Sequence, residues 1–181
     1  MTHVLGISGS LRRGSYNTAL LRAAWSELPR EIAFEEWDDL AALPAYSEDN
    51  AADPPAVAAL KAALAKADAV LFATPEYNAS VPGALKNALD WVSRPFVANP
   101  LRDKPVAVIG ASQGVFGAIW AQADLRKILR TLGAQIDERE LVVAHAQHAF
   151  GGDGSLRDAE LASALRSFVA DLGGVACRRA A

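Results

Sequence analysis

Sulfur is nearly absent from this chain, which has one cysteine, Cys177, and one methionine. A lone cysteine closes no internal disulfide, and it leaves neither a cysteine-based metal knuckle nor a redox pair. Also missing is any apolar run long enough to span a bilayer. The apolar stretch Val4 to Ile7 is too short for the hydrophobic region of a signal peptide, so a cytoplasmic protein with no membrane insertion is expected. Excess charge of one sign is lacking too: 18 Lys and Arg face 21 Asp and Glu, a formal net charge of -3. That balance gives no support for a nucleic-acid or anionic-membrane partner. Two phosphate-loop signatures are absent as well. There is no G-x-x-x-x-G-K-S/T string, and Gly6, Gly9 and Gly14 do not have the G-x-G-x-x-G spacing.

What is present is ordinary globular material. The 181 residues are 51% hydrophobic and 22% charged, which suits one domain over residues 1–181 with a sizeable core. Short apolar runs alternate with helical periodicities. His3 to Ser8, Ile32 to Trp37, Ala69 to Ala73, Val106 to Ala111 and Ile136 to Val143 read as strands. Between them, Leu21, Ala24, Trp25 and Leu28 recur at helical spacing before Pro29, and Val57, Leu60 and Leu64 mark a second helix capped by Asp53 ahead of Pro54 and Pro55. Pro82 starts a third helix with Leu85, Leu89 and Trp91. A fourth carries Leu125, Ile128, Leu129 and Leu132 up to Gly133, a left-handed cap. The last has Ser155 and Asp158 as a capping box and Leu161, Leu165, Phe168, Val169 and Leu172 as its apolar face.

This alternation predicts an α/β fold with a parallel sheet covered on both faces. Five strands fit the doubly wound, flavodoxin-like order 2-1-3-4-5. Ligands of such sheets sit beyond the carboxyl ends of the strands, beside the point where strand order reverses. The loops after strands one, three and four are therefore the places to search.

The first of these runs Ser8-Gly9-Ser10-Leu11-Arg12-Arg13-Gly14-Ser15-Tyr16-Asn17-Thr18 and opens a helix. Free N–H groups at a helix start favour an anion, hydroxyls add donors, and Arg12 supplies a two-pronged cation, so a phosphate ester is the expected ligand; the competing reading is a Gly/Ser turn with a solvated arginine pair. The second, Pro75-Glu76-Tyr77-Asn78-Ala79-Ser80-Val81-Pro82, breaks an apolar strand into a polar, aromatic turn. It can present rigid backbone groups to a flat polar heterocycle, or it can be a connector whose Glu and Asn cap the next helix. The third, Ser112-Gln113-Gly114-Val115-Phe116-Gly117, is a small-residue turn that permits close backbone approach. His145 and His148 lie three apart with no third ligand in pattern, which reads as solvated loop histidines and no metal site.

The strings GSLRRGSYN and PEYNASVPGALKNALDW resemble the two signatures of the NADPH-dependent FMN reductase family, which includes quinone, chromate and azo-dye reductases. The resemblance implies a non-covalent FMN, with Ser10, Arg12, Ser15 and Asn17 around its phosphate and Tyr16 nearby. It implies Pro75, Glu76, Tyr77 and Asn78 at the isoalloxazine, with Ser112, Gln113 and Gly114 approaching the ring from the third loop. It further implies NADPH or NADH as co-substrate, hydride transfer to the flavin N5, and a small-molecule acceptor: a quinone, an azo compound, a metal oxyanion or free flavin. A homodimer or homotetramer is implied too. No catalytic side chain is nominated, because the cofactor carries the chemistry. The alternative on the same fold is a flavodoxin-type electron carrier, against which the mild charge and Arg12 both speak. Ser93 to Pro100 and His145 to Gly154 depart from the family pattern.

Overall fold

The computed structural model describes residues 2–50 and 52–180. Strands β1 (Thr2–Ser8), β2 (Ile32–Trp37), β3 (Ala69–Thr74) and β4 (Pro105–Ala111) form a parallel sheet with short β5 (Gln135–Ile136) and β6 (Val142–Val143), in the order β2-β1-β3-β4-β5 with β6 also on β4. β3 and β4 are buried throughout, as their unbroken apolar runs require of strands covered on both faces. Alternate residues divide between two cores. Val70 and Phe72 pack with Leu60, Leu64, Leu85, Leu89, Leu125 and Leu129. Those side chains belong to helices α2 (Pro55–Lys66), α3 (Gly83–Val92) and α4 (Ile119–Thr131). Ala69, Leu71 and Ala73 pack with Leu20, Leu21, Leu165, Phe168 and Val169 on the other face. That face is made by α1 (Tyr16–Ser26) and α6 (Ala159–Ala180), while α5 (Ala146–Ala149) is a single turn. The fold is flavodoxin-like α/β, as expected.

Several local expectations need correction. The fifth strand is not continuous from Ile136 to Val143. Residues 138–140 leave the ladder between the Asp137 N–H, which reaches the Val106 carbonyl at 2.9 Å, and the Leu141 carbonyl, which accepts the Gly110 N–H at 3.2 Å ahead of β6. The cause is charge: Asp137, Glu138, Arg139 and Glu140 bond outward, with Arg139 bridging Asp137 and Asp171 while Glu138 and Glu140 hold Arg130 and Arg126. Burial alone would raise the Asp137 pKa, but its hydrogen bonds with Arg139 outweigh this and hold it below the ordinary carboxylate range.

Trp25 is not core. It lies 51% exposed and stacks on Phe34, because Leu20, Leu21 and Ala24 already fill the inward face of α1. Asp53 caps nothing: its carboxylate is bound by the Lys61 ammonium at 2.7 and 2.8 Å, and Pro54 occupies the N-cap position. Asp158 alone caps α6, accepting from Glu160 N and Leu161 N, while Ser155 bonds Asp153 instead. Gly133 has the expected left-handed φ of +85°.

Candidate functional site

Register places the site. Ser8 pairs with Ala73 and Thr74 with Gly110, so β1, β3 and β4 end level and release their loops on one side of the sheet. There, beyond the carboxyl ends, lies an open cleft of about 360 Å³. It is lined by Ser10, Arg12, Ser15, Tyr16 and Asn17 from the first loop, Pro75, Glu76 and Tyr77 from the second, and Ala111, Ser112 and Gln113 from the third. Asn78 and Gly114 do not line it. Asn78 stands exposed at the tip of the second loop, and Gly114 gives its carbonyl to the His145 N–H at 3.2 Å.

The first loop is built to receive an anion. Ser15 is the N-cap of α1, its Oγ accepting from Asn17 N and Thr18 N, which leaves the hydroxyl proton to donate. The N–H groups of Arg13, Gly14, Ser15 and Tyr16 have no protein acceptor among the described residues. Such unpaired donors at a helix start, with the helix dipole behind them, form a cradle for phosphate. Arg12 is exposed, with its guanidinium 5.0 Å from the centroid of the Tyr16 ring and no carboxylate paired to it among the described residues.

Asn17 lines the cleft and also makes a structural tie. It is 3% exposed, and its side chain grips one peptide: Nδ2 donates to the Ala111 carbonyl and Oδ1 accepts from the Ala111 N–H, both at 2.9 Å. It ties the first loop to the end of β4 and keeps its second Nδ2 N–H as a donor at the cleft lining. The second loop closes as a two-residue hairpin, Tyr77 and Ser80 exchanging backbone hydrogen bonds at 3.1 and 3.2 Å. Asn78 and Ala79 between them have φ of 53° and 58°, the positive values a type I′ turn demands. Asn tolerates that region and alanine does not. Ala79→Gly should therefore raise stability by about 0.5–1 kcal/mol, the left-handed penalty less glycine's added chain entropy, read from a urea midpoint.

Comparisons with known proteins place the chain in a family. The family model described as NADPH-dependent FMN reductase matches residues 2–148. The chain belongs to this family. An NAD(P)H-dependent FMN reductase of Pseudomonas aeruginosa is 47% identical over 158 residues, covering 86% of this chain and 84% of its own. A 2-hydroxy-1,4-benzoquinone reductase of Burkholderia sp is 39% identical, covering 90% of each chain. Among solved structures, the flavoenzyme NAD(P)H:(acceptor) oxidoreductase FerB from Paracoccus denitrificans superposes with a TM-score of 0.87 at 36% identity over 98% of both chains. Membership makes the chain an oxidoreductase that uses FMN and NAD(P)H.

Within this reductase, two ties that shape the cleft escape sequence reasoning. Glu76 does not cap the helix that follows it. Its Oε2 accepts from Trp120 N at 3.0 Å and Ala121 N at 3.1 Å, capping α4 from 44 residues away. The available signal is negative: α4 begins after Ala118, a left-handed residue with no capping side chain, so its first amides need a partner from elsewhere. Ser80 adds a second link, its Oγ donating to Asp124 at 2.7 Å. Glu76→Ala should cost about 1–2 kcal/mol of stability in urea unfolding, the range for a lost cap, whereas Glu76→Gln keeps an acceptor and should lose less. Equal losses would mean that the cap depends wholly on the carboxylate charge, and no loss in Glu76→Gln would mean that charge contributes nothing. His145 and His148 are exposed at either end of α5 and outside the cleft lining.

Proposed function

We propose that this cleft holds FMN non-covalently and that the reductase passes electrons from NADPH or NADH to a quinone. The observation that carries the reading is the convergence of three loops on one opening, with an amide cradle and Arg12 at one end. Ser10, Ser15, Arg12 and the amides of residues 13–16 would hold the phosphate. Pro75, Glu76, Tyr77, Ser112 and Gln113 would border the isoalloxazine, with Tyr16 between the two regions. Asn78 acts through backbone conformation, Gly114 through its carbonyl's bond with the His145 N–H, and Asn17 through its hold on Ala111. When bound, FMN supplies the hydride-accepting N5 and the redox chemistry.

What the chain contributes is position and exclusion. Glu76 accepts from two amides of α4 through Oε2, which makes it a strut between two loops. The Pro75 to Ser80 hairpin is rigid, closed by its own backbone pair and by Ser80 on Asp124. A quinone is favoured as acceptor because it is flat, apolar and small, and because a relative at 39% identity carries a benzoquinone reductase name. Tyr77, Phe116 and Trp120 stand exposed around this end of the sheet, and the Phe116 and Trp120 rings lie 4.8 Å apart. We place a homodimer or homotetramer contact on these aromatics, and the enzyme in the cytoplasm, where NAD(P)H is supplied.

The test is an anaerobic titration. Purified protein should be yellow, bleach on addition of NADPH or NADH, and recover its colour when a benzoquinone is added. Colourless protein with no affinity for FMN would remove the cofactor assignment. Yellow protein that neither nicotinamide bleaches would make the chain an electron carrier.

A further inference from the structure

A second and larger cavity, of about 820 Å³, lies outside the cleft and touches it at Ser15 and Tyr16. One wall is α1, from Ser15 to Ser26, which at helical rise gives a groove roughly 16 Å long. The other wall is the segment from Ala146 to Ser155, part of which departs from the family pattern in sequence. Tyr16 stands between the two cavities. Arg12 of the cleft sits over its ring, and Phe150 of the groove stacks parallel to it at 6.3 Å with an interplanar angle of 3°.

The groove's polar groups are sorted by end and by availability. Arg22 lies along it but is held by Glu36 through two bonds of 2.9 and 3.2 Å. Arg13, beside the phosphate cradle, is exposed and has no carboxylate partner among the described residues. On the opposite wall Asp153 receives the Ser155 N–H and hydroxyl on Oδ1, at 3.0 and 2.7 Å, which leaves Oδ2 as an acceptor. One available cation near the cradle, an aromatic pair and a carboxylate acceptor across the groove match a phosphate, a base and a ribose. The volume is in the range that buries a ligand of this size.

We propose that this groove is an adenosine-phosphate subsite, filled by the adenylate half of a dinucleotide that also reaches the cleft. The inference rests on the proposed phosphate position in the cleft. Two dinucleotides carry that half, FAD and NAD(P)H, and the test separates them. Gly152→Trp fills the groove from a position where an added Cβ meets nothing within 4 Å, and Asp153→Ala removes the carboxylate acceptor on the wall away from the cleft. FMN and FAD are titrated into the flavin-depleted full chain, and NADPH and NADH KM values are measured on the FMN-loaded enzyme. Both variants should bind FMN within twofold of wild type. An FAD affinity at least tenfold weaker in both would assign the groove to the adenylate of FAD. Unchanged FAD affinity with a tenfold rise in nicotinamide KM would assign it to the co-substrate. If neither moves, the subsite is overturned. If wild-type chain fails to bind FMN, the cleft reading itself falls, a result distinct from either.

Discussion

Replacing Gly117 with alanine should lower unfolding stability by about 2–5 kcal/mol and weaken FMN binding at the same time. Two costs add at this position. Gly117 has a φ of +50°, where an L side chain costs about 1–2 kcal/mol. An added Cβ would also lie 2.3 Å from Val142 Cγ1 and 2.9 Å from backbone atoms of Val143 and Ala144. The Val142 side chain can rotate, but the backbone is β6, paired to β4 at Gly110 and Ala111, so relief requires moving strand or loop. Overpacking of that kind costs about 1–3 kcal/mol. The loop that would move carries Ser112 and Gln113 into the cleft, so strain and loss of affinity should appear together. Gly114→Ala is the control from the same loop. Its nearest contact would be Ser112 Oγ at 3.6 Å, and its φ is ordinary, so a change within about 0.5 kcal/mol is expected. Urea midpoints of the two variants decide the matter. Equal stability would show that the loop adapts and that Gly117 has no special role.

The sequence reads well where local pattern and burial agree. β3 and β4 are apolar on both faces, so their runs Ala69–Ala73 and Val106–Ala111 mark central strands without ambiguity. The cleft was legible for a related reason: strand order dictates which loops meet, and those loops had unusual composition. Legibility ends where a residue acts across the chain. Asn17 binds Ala111, 94 positions away, and nothing in the first loop announces that tie. Glu76 and Trp120 are separated by 44 positions, and only the uncapped start of α4 hints at the pairing. The edge strand misleads in the opposite direction. Ile136 and Val143 bracket it with apolar residues, yet Glu138, Arg139 and Glu140 between them gain more from α4 and α6 than from the ladder. Edge position, which leaves one side of the strand without a partner, permits that choice.

Arg12→Ala should weaken FMN binding by about 1.5–3 kcal/mol, roughly tenfold to 150-fold, while leaving riboflavin binding unchanged. The guanidinium is exposed and its position over Tyr16 holds it at the rim without using its donors, so a phosphate gains them at small conformational cost. Riboflavin lacks the phosphate, and the cycle of two ligands and two proteins isolates that one contact from any shift in the loop. Arg12→Lys keeps a charge but loses the planar fork and most of the ring contact, and should fall between wild type and alanine. Because the site is open, wild-type affinity should fall with added salt, and the alanine variant should show a shallower dependence. Equal weakening of FMN and riboflavin would mean that Arg12 shapes the loop through Tyr16. Unchanged FMN affinity would leave the amides of residues 13–16 and the dipole of α1 as the phosphate site, with Arg12 a bystander on the rim.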